Sequence, residues 1–183
     1  MTDVDSAPPV AKSLIGIFVA IGLGAAVAAA GSSGSLSVGG WPAFALAAAL
    51  AFGIQWIVFL PAYLTQSERF YDLTGSLTYL SVALFAYSVK GDERALLLTI
   101  FIGIWALRLG SFLFLRIRDA GSDRRFDRIK PYFFRFLMTW TLQGLWVLVT
   151  AGAAIAAMTS SISPPLGPVA LTGALIWVLG FVI

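Results

Sequence analysis

Six apolar runs, each close to the length that crosses a lipid bilayer, occupy most of this chain of 183 residues. They cover residues 13–30, 41–60, 73–89, 95–115, 136–158 and 168–183. A hydrocarbon core of about 30 Å needs roughly 20 residues rising 1.5 Å each, so runs of this size are transmembrane candidates. Backbone groups in lipid must pair within their own segment, which a helix achieves and a lone strand does not. The runs also lack the alternating polarity of barrel strands. The sequence therefore predicts an all-α, multi-pass transmembrane bundle of about six helices. A tail over 1–12 precedes a single membrane domain over 13–183.

Composition narrows the chemistry. Hydrophobic residues make up 59% and charged residues 11% of the chain, with a mean hydropathy of +0.90, so membrane lipids are the expected surroundings. The chain has no Cys and no His. That removes disulfides, thiolate nucleophiles, imidazole acid–base chemistry and the usual ligands for zinc or haem, and no metal site is expected. The net charge of +3 is small, and seven of the twelve basic residues lie in one segment. Nucleic acid is not an expected partner.

The first run ends in Ala-Ala-Ala-Gly, as a secretory signal does, but Asp3, Asp5 and a single Lys12 precede it rather than a basic leader. A retained helix is the reading. Its residues Ala20, Gly24 and Ala28 fall four apart on one face and permit close helix contact, within the chain or with other chains. Orientation follows from Arg116, Arg118, Arg124, Arg125, Arg128, Lys130 and Arg135, which crowd the fourth connection and predict a cytoplasmic loop. Six spans then put both termini and the 61–72 connection on the same side. The 31–40 and 159–167 loops, with Lys90 and Arg94, fall outside.

Ionisable side chains at membrane depth are expensive and therefore mark candidate functional positions. Arg108 lies seven residues before Leu115, about 10 Å along a helix, which is far for its side chain to reach the interface. Gln55 and Gln143 are uncharged and read as bridges between helices. Glu68 and Asp72 are four apart and would share a face if helical, which leaves Asp72 able to pair with Arg108 or to cap a turn. In the basic segment Asp119, Asp123 and Asp127 recur every four residues, as in a helix laced with ion pairs. Its arginines suit either anionic lipid heads or a phosphate-bearing cofactor.

Three motifs carry a resemblance. Phe70-Tyr-Asp-Leu-Thr-Gly-Ser-Leu-Thr-Tyr79, Trp105-Ala-Leu-Arg-Leu-Gly-Ser111 and Thr141-Leu-Gln-Gly-Leu-Trp146, in this order around the basic loop, resemble a bacterial family of unknown function related to the steroid 5-alpha reductases. The resemblance runs from about residue 55 to 183. It implies a membrane oxidoreductase that uses NADPH from the cytoplasmic side to reduce a carbon–carbon double bond in a hydrophobic enone, in a bacterial inner membrane.

On that resemblance Arg108 matches the arginine three residues after the reductases' proton-donor tyrosine, and Gln143-Gly144 matches a Gln-Gly pair. Asp72 lies about where an acidic residue grips the substrate carbonyl. The tyrosine position is Trp105, whose indole is no acid at neutral pH, so Tyr79 or Tyr71 stands as a replacement. The catalytic candidates are thus Asp72, Tyr79 and Arg108. Tyr71, Trp105 and Gln143 are expected at the substrate, and Arg116, Arg124 and Arg125 at NADPH.

The resemblance also implies a further Arg-His-Pro-Asn-Tyr cofactor motif beyond residue 183, so the sixth helix is expected to be truncated and the chain to be the N-terminal part of its protein. Three alternatives stand beside the reductase: a non-catalytic membrane subunit, a lipid-binding protein, and a relative of the isoprenylcysteine methyltransferases.

Overall fold

A computed structural model describes residues 10–183. Residues 1–9, most of the expected cytoplasmic tail, lie outside the described residues. Six α-helices dominate: α1 (Val10–Ser32), α2 (Ala43–Leu64), α3 (Tyr71–Lys90), α4 (Glu93–Ala120), α5 (Phe133–Thr159) and α6 (Pro168–Val182). A two-residue hairpin pairs Ser37–Val38 (β1) with Trp41–Pro42 (β2), and a single 3₁₀ turn at Arg124–Phe126 lies between α4 and α5.

Four helices, α1, α2, α4 and α5, are long and apolar enough to cross a membrane. Many large apolar side chains point outward from them, among them Phe18 (70% exposed), Ile57 (70%), Phe112 (63%) and Trp146 (66%). Apolar surface of that extent belongs in lipid rather than water, so this is a membrane-embedded protein.

The centre of the bundle is α2, α3 and α5, which pack against one another. Phe44, Phe52, Tyr79, Val82, Leu148 and Ile155 form one core cluster, while Phe59, Phe126, Phe136 and Trp140 form a second beside the α4–α5 connection. α1 lies on α2 and α5, and α4 on α3. Lipid is as apolar as Leu, so close fit and buried hydrogen bonds have to hold such helices together. Ala20 and Gly24 of α1 are both buried. A Cβ at Gly24 would come within 2.7 Å of the Phe52 ring, so the small-residue face is used inside the chain.

α3 differs from the other long helices because its buried face carries Thr74, Ser76, Thr78 and Tyr79. Those polar groups find partners in the interior. Thr78 Oγ1 gives its proton to the Thr74 carbonyl at 2.7 Å and accepts from Gln55 Nε2 at 2.8 Å. This hydrogen bonding explains why α3 belongs to the bundle without being as apolar as its neighbours.

The chain runs up and down, so its loops sort to two ends. At one end the hairpin loop meets the α5–α6 connection through Leu36 N–H to the Thr159 carbonyl at 2.7 Å. Lys90 Nζ donates to the Ile162 carbonyl there at 2.6 Å. The α3–α4 turn is tight because Gly91 adopts φ 67° and Asp92 caps α4 through Ala95 N–H at 2.8 Å. At the other end Glu68, before α3, meets Lys130, after α4. The 61–72 connection and the arginine-rich segment therefore share one end.

Candidate functional site

Two groups of the candidate residues assemble. The first lies along α4 and α6. α4 and α3 form an antiparallel hairpin in which Gly110 meets Ser76, where an added Cβ would stand 2.7 Å from the Ser76 Cβ. That register turns Arg108 away from α3 and toward α6. Its guanidinium donates to the Phe181 carbonyl and lies 4.6 Å from the centre of the Phe181 ring. A cavity of about 600 Å³ opens here, lined by Trp105, Arg108, Ser111, Phe112, Leu115 and Phe181.

Trp105 also borders a second cavity of about 320 Å³, whose walls include Tyr79, Phe101, Thr150 and Trp177. The Trp105 ring meets the Tyr79 ring edge-on at 4.9 Å. The Tyr79 hydroxyl is hydrogen-bonded to Thr150 Oγ1 at 2.5 Å, and Thr150 Oγ1 donates to the Trp146 carbonyl at 2.7 Å. Trp105 thus stands between two adjoining apolar cavities, one bordered by the Arg108 guanidinium and the other by the Tyr79 phenol. Arg108 presents five N–H donors and uses one on Phe181, so donors remain for a ligand oxygen.

The second group sits at the arginine-rich end. Asp72, in the first turn of α3, pairs with Arg116 at 3.5 Å rather than with Arg108. Arg116 lies eight residues farther along α4, about 12 Å, and that is the level which the antiparallel hairpin sets opposite Asp72. Glu68 and Asp72 do not share a helix face, because Glu68 precedes α3. Glu68, 5% exposed, accepts from Lys130 Nζ at 2.8 Å and from Asp123 N–H at 2.9 Å. Burial pushes its carboxyl pKa up, but these bonds outweigh burial and hold it below the ordinary value. Lys130 is raised, chiefly by the same bond to Glu68.

The arginine-rich segment is not a laced helix. α4 stops at Ala120, where Gly121 takes φ 79°. The acids then pair locally, Asp119 with Arg118, Asp123 with Arg125 and Asp127 with Lys130. Arg125 holds the Asp123 carboxyl below its ordinary pKa. Arg116, Arg124 and Arg125 are exposed on this end, and among the described residues Arg124 holds no ion pair.

Tyr71 and Gln143 belong to this end of the core. The Tyr71 hydroxyl donates to the Thr139 carbonyl at 3.1 Å, and its ring packs edge-on against Phe126 and Trp140. Gln143 Nε2 donates to the Tyr71 carbonyl at 3.2 Å and occupies the space that a side chain at Gly75 would need. Gln55 and Gln143 both bridge helices, and among the described residues their amide oxygens have no partner.

A family model described as a protein of unknown function, DUF1295, matches residues 58–183, more than half of the chain. The chain belongs to the DUF1295 family. All nine candidate site residues and both groups described above fall inside the DUF1295 match, whereas α1 and the first part of α2 precede it. No curated protein and no solved structure matches the chain.

The pair of cavities was partly missed in the sequence. Leu98, Phe101, Trp105, Arg108, Phe112 and Leu115 recur at alternating spacings of three and four, which is one face of α4. That stripe was the available signal. The partner wall on α6, with Trp177 and Phe181 four apart, completes it.

Proposed function

We propose that this DUF1295 protein spans the membrane several times, with the arginine-rich end on the cytoplasmic side, and contributes the membrane bundle of a steroid 5-alpha-reductase-like, NADPH-dependent reductase of a hydrophobic enone. The observation that carries the reading is a pair of apolar cavities that adjoin at Trp105, with Arg108 on one and Tyr79 on the other. A hydrophobic ligand enters such a site sideways from lipid. The excess of basic side chains at one end favours the cytoplasmic face for that end.

The residues of that end fit a phosphate group. Arg116, Arg124 and Arg125 are exposed and cationic, and guanidinium forks match phosphate oxygens. Asp72 holds Arg116 by a single long contact that a phosphate could displace, whereas Asp123 holds Arg125 by several hydrogen bonds, which leaves Arg124 and Arg116 as the more available cations. NADPH supplies the hydride that adds to the β-carbon of the enone.

The chain's own residues manage the rest. Arg108 donates to the carbonyl oxygen and stabilises the negative charge that gathers there as the double bond is reduced. The α-carbon then takes a proton, for which the Tyr79 hydroxyl is the group in the adjoining cavity, resupplied from solvent. Trp105, with no acidic proton near neutral pH, shapes the wall between them. Asp72 keeps Arg116 oriented at the cofactor end.

Purified full-length protein in lipid nanodiscs, mixed with NADPH and lipid enones, provides the test through absorbance of the reduced nicotinamide. Enone-dependent loss of NADPH is expected. If the protein neither binds NADPH nor oxidises it with any enone, the reductase reading falls. The openness of the α4–α6 side, where α6 has no buried residue, favours one second reading, a lipid-binding protein without catalysis.

A further inference from the structure

The cavities between α4 and α6 adjoin one another through shared wall residues. The 600 Å³ cavity and the 320 Å³ cavity share Trp105. The latter shares Leu98, Phe101 and Trp177 with a third cavity of about 550 Å³ toward the opposite end. Together they form one seam along α4 from Leu98 to Leu115, about 25 Å at 1.5 Å per residue. That is most of the thickness of a hydrocarbon core of about 30 Å.

Its walls are apolar and aromatic. Phe101 stacks on Trp177 at 4.4 Å, and Trp177 on Phe181 at 5.0 Å. Arg108, exposed and with N–H groups to spare, lines the 600 Å³ cavity, whereas Arg94, at the far end of the 550 Å³ cavity, is tied to the Pro164 and Pro165 carbonyls. A guanidinium facing lipid carries a large desolvation cost unless an oxygen acceptor meets it. A compact fused-ring ligand would occupy only part of a seam of this length.

We propose that the seam binds a linear long-chain lipid, its carbonyl oxygen accepting from Arg108 and its unbranched or isoprenoid tail running past Trp105 to Trp177 and Gly173. This deepens the reductase reading, on which it rests for the enone character of the head. The tail site itself depends only on the geometry. The occupant is a lipid rather than a second copy of the chain because the space is a slot between two helices of one chain, with the Arg108 donor about 10 Å from its Leu115 end. A partner helix would need a flat face instead.

The test uses tryptophan fluorescence of the full protein in nanodiscs. The probes are two long linear enones, one brominated near the tail and one near the carbonyl, and bulk phospholipid brominated at matching depth is the reference. The tail-brominated probe should quench the wild type several-fold more than the reference lipid does. Trp177→Phe should remove most of that extra quenching while leaving quenching by the head-brominated probe. Ala154→Phe and Gly173→Phe, which narrow the slot at two levels, should also abolish tail quenching and spare head quenching. No added Cβ at Gly173 meets another atom within 4 Å, so that variant should fold.

Tail quenching no greater than that of the reference lipid overturns the proposal. So does tail quenching that survives both narrowing variants, or a stable dimer in which Trp177 is shielded from every probe. Binding is read here without turnover. A protein that passes while oxidising no NADPH keeps the slot and loses the reductase reading. Enone-dependent oxidation without tail quenching does the reverse.

Discussion

Single side chains here act through position as much as through type. Glu68 is the clearest case, a carboxylate almost fully buried between a lysine and a backbone N–H. Charged hydrogen bonds of this kind contribute about 1–3 kcal/mol each, so Glu68→Gln should loosen the link between the two loops by about that much. The readout is hydrogen exchange at Asp123 and its neighbours. The pH dependence has a definite sign. A depressed carboxyl pKa gives stability that is present above the unfolded value, about 4.3, and is lost as pH falls through the folded value. Protection of this end should therefore drop on acidification, and Glu68→Gln should flatten that acid limb. Lys130, raised, contributes below its ordinary value and loses its hold as pH rises through the folded one. On the proposed reductase reading, Arg108→Leu should lower kcat with an enone about 10²–10³-fold, the usual consequence of losing one donor to a developing oxyanion. An unchanged kcat with normal folding would remove Arg108 from the chemistry.

At the level of helices, close approach decides what is tolerated. Gly24 of α1 faces the Phe52 ring, whereas Gly22 of the same helix has nothing within 4 Å of an added Cβ. Gly24→Leu should thus destabilise the bundle by about 1–3 kcal/mol through overpacking, and Gly22→Leu should leave it unchanged, as measured by thermal unfolding in detergent. The small-residue face of Ala20 and Gly24 was legible in the sequence, because its four-residue spacing needs no knowledge of the partner. The same holds for all six helices, whose apolar length is a local property. The Asp72–Arg116 pair was not legible. It depends on the register of the α3–α4 hairpin, which Gly91 and Asp92 set at the turn and which no local pattern reports. The alternating acids of the arginine-rich segment misled for a related reason. Their spacing suits a helix, but Gly121 at φ 79° ends α4 just after Asp119, so Asp123 and Asp127 fall beyond it and each of the three acids pairs with a sequence neighbour instead.

For the molecule as a whole, the loops sort to two ends of very different charge. Near the hairpin end Lys90, Asp92, Glu93 and Arg94 balance one another. The other end carries the arginine-rich segment and the Glu68–Lys130 link. That asymmetry, rather than any one residue, is expected to orient the protein in a bilayer, and on the proposed reading it sets the side from which a nucleotide approaches. Natural absence of cysteine makes the arrangement directly measurable. Single cysteines at Ser122, in the arginine-rich segment, and at Ser163, in the α5–α6 connection, can be challenged in intact cells with a membrane-impermeant maleimide. The expected result is that Ser163→Cys labels at once and Ser122→Cys only after the membrane is opened. Labelling of Ser122→Cys in intact cells would contradict the topology and the cytoplasmic route for the cofactor.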